Sequence, residues 1–189
     1  MLEDPNLNDS KTAVNAAKLT NEFAHSKNES KNEALDAFKG KQDPLADNYV
    51  LPNGAKYTGD YFGKKPHGKG TMILPDGSTY IGDFEDGKFH GYGTFNHSNG
   101  SKYIGQWQAG FMHGHGAFFF TKGHKYEKYV GDFRNHQLCG QGTLSMPNGV
   151  KWEGEFRDNE MNGWGTMTYQ TGVTDRVLYI NSKYIRTAE

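Results

Sequence analysis

Three histidines, His67, His90 and His113, recur 23 residues apart, each followed by Gly-x-Gly. Imidazoles bind zinc through nitrogens ~2.0–2.1 Å from the metal. The stretch Gly63-Lys-Lys-Pro-His-Gly-Lys-Gly-Thr71 carries the lysine and glycines of a phosphate loop. The residue after that lysine must supply a hydroxyl for magnesium, and here it is Gly70. Cys139 is the one thiol, which excludes a disulfide within the chain and a cysteine zinc site. No Gly-x-Ser-x-Gly elbow occurs. His113 and His115 are expected to form a weak adventitious metal site at most. What decides these cases is the framework that spaces the residues.

That framework is a repeat. Of 25 glycines, only Gly40 lies outside residues 54–172. An aromatic residue opens each unit, at Tyr57, Tyr80, Tyr103, Tyr129 and Trp152. The interval is 23 residues except between Tyr103 and Tyr129, where it is 26 because three extra residues precede Tyr129. Counted from the opening ring, offset two is always glycine, offset four always aromatic, and offsets eleven, thirteen and twenty always glycine. A fixed period of this length marks a stacked-repeat architecture. Tyr49-Val-Leu-Pro-Asn-Gly54 matches the back half of one more unit.

Each unit reads as two short antiparallel strands. Side chains alternate along a strand, so offsets zero, two and four share a face that carries ring, glycine, ring. Offsets eleven, thirteen, fifteen and seventeen are expected to share a face of the second strand. The other face is mixed, with Lys56, Lys102, Lys128 and Lys151 before the ring and Asp60, Asp83, Asp132 and Glu155 at offset three. These rows are expected to neutralise each other as exposed cross-strand pairs. Asn53-Gly54, Asp76-Gly77, Asn99-Gly100 and Asn148-Gly149 mark the turns between units. Glycine inside a strand costs conformational entropy, so its recurrence points to rings lying over bare backbone. Residues one unit apart then sit two strands apart, roughly 9–10 Å. The histidines are expected as turn or packing residues, the loop-like glycines as repeat glycines, and Cys139 as an inert thiol. Neither a metal nor a cofactor is expected, and no enzyme activity.

The pattern Tyr-x-Gly-x-aromatic, His-Gly-x-Gly, Asx-Gly resembles the MORN (membrane occupation and recognition nexus) repeat, most closely from Tyr80 to Phe95. The resemblance covers about residues 49–172. It implies an elongated, twisted, single-layer antiparallel sheet of stacked β-hairpins with a groove, preceded here by a short helical or disordered segment. It also implies a scaffold or protein-interaction role in cytoskeletal, axonemal or membrane-junction settings. The family's kinase and methyltransferase contexts are not expected to transfer, since none of the 189 residues given is expected to form such a domain. His at offset ten gives way to Cys139 and Asn162 in the last two units, and Gly at offset seven to Lys64, His136 and Asn159. At these positions the sequence signal for the later turns is thinner, and the family resemblance is unaffected.

Three segments follow: 1–47, the array at 48–175, and a C-terminal cap at 176–189. Residues 1–47 hold one glycine and no Trp or Tyr. A helix is expected from about Asp9 to His25, and a second after the capping box Ser30-x-x-Glu33, with Ala34, Leu35 and Phe38 on one stripe. Val177-Leu-Tyr-Ile180 and Tyr184-Ile185 are apolar enough to cover the last strand. The acidic N-terminus lacks the apolar run of a secretion signal, and cytoplasmic residence is expected. A net charge of −1 argues against nucleic-acid binding. From Asp47 onward, 15 basic residues face 14 acidic ones, which disfavours direct attraction to anionic lipid. The expected function is a non-enzymatic scaffold for a protein partner, an extended or helical peptide, with membrane contact indirect. A peripheral tether to anionic phospholipid is the alternative. The expected partner surface is Tyr61, Phe84, Trp107, Phe133 and Phe156, the rings of offset four.

Overall fold

The computed structural model describes residues 49–188. The two helices expected in 1–47 lie outside the described residues. The chain from Tyr49 onward forms one antiparallel sheet of 13 strands, each paired with its neighbours in sequence. β1 (Tyr49–Val50) leads into five hairpins: β2 (Lys56–Phe62) with β3 (Lys65–Ile73), β4 (Thr79–Glu85) with β5 (Lys88–Asn96), β6 (Lys102–Gln108) with β7 (Phe111–Phe119), β8 (Lys128–Arg134) with β9 (Gln137–Ser145), and β10 (Lys151–Arg157) with β11 (Glu160–Thr168). A sixth hairpin, β12 (Thr174–Ile180) with β13 (Lys183–Thr187), ends the sheet. There is no helix among the described residues.

Register follows the repeat. Glycines of offsets two and thirteen pair directly, as in Gly59↔Gly70, Gly82↔Gly93 and Gly105↔Gly116. The opening ring of the same unit covers both. A Cβ on Gly93 would lie 2.5 Å from Cζ of Tyr80, and one on Gly142 would lie 2.6 Å from Cζ of Tyr129. Rings and bare backbone therefore meet as the spacing predicts. All five opening rings are fully buried.

Offset eleven is a different kind of position. Gly68, Gly91, Gly114, Gly140 and Gly163 sit at φ between +55° and +78°, conformations that suit glycine. The inner pairing of each hairpin shifts by two residues just there: Gly82 of β4 pairs with Gly93 and Asp83 with His90, which leaves Gly91 and Tyr92 of β5 outside that pairing. This bulge breaks the two-residue alternation. Offset eleven consequently leaves the ring face, contrary to the expectation. A Cβ on Gly91 would strike the Asp83 carboxylate, not a ring.

The Asx-Gly signals do mark turns. Leu51 C=O accepts the Gly54 N–H, and Leu51 N–H donates to Ala55 C=O, which makes Pro52-Asn53 the centre of a turn closed by glycine at φ +82°. The Asx side chain steadies it, with Asn53 Oδ1 accepting Ala55 N–H and Asp76 Oδ1 accepting Ser78 N–H.

The other hairpin ends are two-residue turns at offsets six and seven, both at positive φ from the second unit onward, as in Asp86-Gly87 and Asn135-His136. The later units keep these turns without glycine at offset seven. The N–H of offset seven donates to the offset-nine carbonyl of the preceding unit in every case, from Gly87→Pro66 to Ser182→Met161. Where the residue is not glycine, its side chain returns a bond: Asn159 Oδ1 accepts Leu138 N–H at 2.8 Å, and His136 Nδ1 accepts Met112 N–H at 3.3 Å.

The described part of the tail continues the ladder as far as Thr187. Asp175 stands where a sixth opening ring would, and Val177 stands where its glycine would, opposite Gly165. With no ring overhead, a branched side chain fits, and Val177 is buried. β13 is exposed along its whole length.

Candidate functional site

The offset-four rings bind the array together. Each packs edge-on against the opening ring of its own unit at 4.9–5.2 Å. Four of them, and Tyr179 of the tail, also pack edge-on against the opening ring of the preceding unit at 4.8–5.9 Å. Edge-to-face pairs at these separations are worth ~0.5–1.5 kcal/mol beyond burial. Phe84, Trp107, Phe133 and Phe156 are 2–5% exposed. The expectation that they remain open to a partner does not hold for these four, because two tyrosines or tryptophans enclose each ring. Only Tyr61, at the first unit, is half-buried, packed between Tyr49 and Tyr57.

The tyrosine hydroxyls are also committed. Tyr80 Oη donates to Asp83 C=O at 2.9 Å, and Tyr57, Tyr103 and Tyr129 repeat the bond at 2.8–3.1 Å. Burial pushes all four phenols well above their ordinary value, so they stay protonated donors.

The offset-three acids hold the bulge. Asp60 and Asp83 accept the backbone N–H of Lys69 and Tyr92 at 3.1 and 2.9 Å, and Gln106 does the same for His115 at 2.8 Å. Asp83 also pairs with Lys69, directly opposite on β3, not with a lysine of the row before the ring. Asp60 and Asp83 thus have a structural role in holding the bulge. A glutamine in the same place was the sequence signal that acceptance, not charge, is conserved among the units.

The histidines do not converge. His67 Nδ1 accepts Asp86 N–H at 3.5 Å, His90 Nδ1 meets Glu85 at 3.0 Å, and His113 Nδ1 is buried without a partner. Among the described residues, no three His, Cys, Asp or Glu side chains could hold a metal ion. His115 pairs with Asp132 at 3.0 Å. Burial pushes the Cys139 thiol up; Asp132 adds to this and Arg134 opposes it. A thiol held protonated is a poor nucleophile.

An apolar row at offset nine was missed. Pro66, Phe89, Met112, Leu138 and Met161 flank the rings on the same face. Phe89 stacks on Tyr80 at 3.9 Å and fills the space there. From the third unit onward the row is Met, Leu and Met, which fill less, and a groove of about 390 Å³ opens. Its floor includes Met112, Leu138, Leu144 and Met161, and one wall is Phe118, Phe120 and Tyr126. His124 stacks on Phe120 at 4.6 Å, and its Nδ1 accepts the Tyr126 N–H at 3.1 Å. Phe118 and Phe120 are offsets fifteen and seventeen of the third unit, while Tyr126 and His124 come from the lengthened connection, visible in the sequence as an interval of 26 but not placeable from it.

The MORN repeat family model matches residues 57–79, 80–102, 103–125, 129–151 and 152–174. The matched units cover more than half of the chain, and the gap between the third and fourth is the insertion. No curated protein matches the chain.

Proposed function

The chain belongs to the MORN repeat family, and from that premise we propose that it is a non-enzymatic scaffold that binds protein partners. It works as a cytoplasmic subunit of a cytoskeletal, ciliary or membrane-associated assembly, and it needs neither cofactor nor metal. The observation that carries this reading is the groove on the ring face, where half-exposed Met112, Phe118, Phe120 and Leu138 line a concave surface. Everywhere else on that face the rings are consumed by their own packing. A locked sheet loses little conformational entropy when a partner docks, so contact energy is kept as affinity. An extended or helical segment laying apolar anchors into the groove fits this surface.

Proximity labelling and affinity purification from cells, with the tagged full chain, test the proposal. A reproducible set of partner proteins is expected. Recovery of no specific protein, together with sedimentation on vesicles containing anionic phospholipid, would replace the scaffold with the lipid tether.

A further inference from the structure

We infer that the groove beside the inserted loop is the docking site for an acidic amphipathic segment of a protein partner. The inference rests on the scaffold reading and specifies its site and the partner's chemistry.

Over most of the five units the rings of this face pack on one another and are buried. Here two departures coincide. The offset-nine ring of the second unit, Phe89, is replaced by Met112, Leu138 and Met161, which lowers the floor. Between the third and fourth units the chain gains three residues, and the lengthened turn sets His124 and Tyr126 against Phe120 to form a wall. The wall is internally braced, with Phe120 within 5.7 Å of Tyr126 and against Phe118 at 5.0 Å. A volume of about 390 Å³ takes a few large side chains, in keeping with pockets of ~300–1,000 Å³, and not a whole helix. Methionines in the floor let the shape adapt to different anchors.

Charge selects the segment. No carboxylate lines the groove. Its titratable lining groups are Lys125, His124 and His136. Lys125 lies over the Tyr126 ring at 4.6 Å, at the rim, and Lys122 is exposed on the same loop. Apolar anchors that enter the floor therefore bring their flanking residues against cations. Acidic flanks gain from this and basic flanks lose, chiefly through association rate and selectivity.

The test uses the full chain and a phage-displayed library of random 16-residue peptides. Selected peptides are expected to carry two or more large apolar residues and a net negative charge. Two variants locate them. Leu138→Glu places a charge in the floor and is expected to abolish capture; near-ultraviolet circular dichroism checks its fold. The double change Lys122→Glu and Lys125→Glu touches exposed side chains only. It is expected to weaken selected peptides at least tenfold and to invert the charge preference on reselection. The inference is overturned by no enrichment, by neutral or basic winners, or by winners that bind the double variant unchanged. Light scattering that shows a dimer dissociated by Leu138→Glu would also overturn it, since a second copy would then fill the groove. If cellular partners are captured equally by the wild type and both variants, the groove falls while the scaffold stands. If none is captured by any, the scaffold falls as well.

Discussion

Replacing Gly93 by alanine isolates the contact on which the array depends. The backbone at Gly93 is not in the left-handed region, so the change adds no φ strain. The added methyl would lie 2.5 Å from Cζ and 2.6 Å from Cε2 of Tyr80, where ordinary contacts begin at 3.4 Å. Those atoms belong to a fully buried ring, wedged edge-on between Phe84 and Trp107 at 5.1 and 5.3 Å. The ring cannot swing away without leaving its bonds to Asp83 C=O and His90 C=O, at 2.9 and 3.1 Å. Overpacking of this kind costs about 1–3 kcal/mol, and a stranded buried hydroxyl adds about 1–3 kcal/mol. A total loss of about 3–5 kcal/mol is expected. Gly100→Ala is the matched control, because a Cβ there meets nothing within 4 Å although φ is +89°. It should cost only the backbone term of about 1–2 kcal/mol. Urea unfolding followed by tryptophan fluorescence reads both, with Trp107 adjacent to the perturbed ring. The double mutant Tyr80→Ala with Gly93→Ala completes a cycle, in which the two losses should fail to add by at least about 1 kcal/mol. A Gly93→Ala loss below that of Gly100→Ala, or additive losses in the cycle, would refute the ring-on-glycine account.

Three further outcomes follow from the same geometry. Asp83→Ala should lower the urea midpoint, by about 1 kcal/mol in stability, through the lost bond to Tyr92 N–H, while Asp83→Gln should retain most of it because Gln106 already performs that role. Burial, with a smaller contribution from His97, holds the His136 imidazole below its ordinary value, so the unfolded chain takes up a proton before the folded one does. Stability should accordingly fall as pH drops from above the ordinary histidine value toward the folded one, and His136→Asn, which imitates Asn159, should flatten that slope in melting curves at pH 7.5 and 5.5. Deleting residues 124–126 restores an interval of 23; the sheet should persist in circular dichroism, while peptides selected on the groove should no longer bind.

Much of the fold could be read from the sequence, and the misreadings have one physical source. Opening ring, offset-two glycine and Asx-Gly turn recur at fixed offsets, so strands, turns and the ring-bearing face were legible. Offset eleven was not, because a glycine at a bulge looks like a glycine under a ring. Counting by twos through the bulge put Gly68 and Gly91 on the wrong face. The same count hid the role of Asp60 and Asp83, whose partners are backbone N–H groups on the next strand. The fate of Phe84, Trp107, Phe133 and Phe156 depended on neighbouring units: one unit supplies a single edge contact, and the second, which completes burial, comes from the ring 27 residues earlier, or 30 residues earlier for Phe133 across the insertion. The later turns survive without glycine because Asn159 and His136 tolerate positive φ and return a hydrogen bond, a compensation that residue identity alone does not display.

Selectivity in such an array must come from where the period fails. A residue that recurs at every offset is occupied by the neighbour that recurs beside it, as the buried tyrosines and offset-four rings demonstrate. Its surface also repeats, so it offers any partner several equivalent registers and no preferred one. A unique register needs a feature present once. The described residues offer two: the end of the sheet, where Asp175 and Val177 replace ring and glycine, and the inserted wall at Phe120, His124 and Tyr126. The end presents β13, whose Lys183 and Arg186 discourage strand addition by another chain. The wall faces an apolar floor beside Lys125 and, among the described residues, is left open. Of the two, only the wall combines concavity, exposed apolar area and one sign of charge, the combination that fixes where an acidic amphipathic segment lies and in which direction.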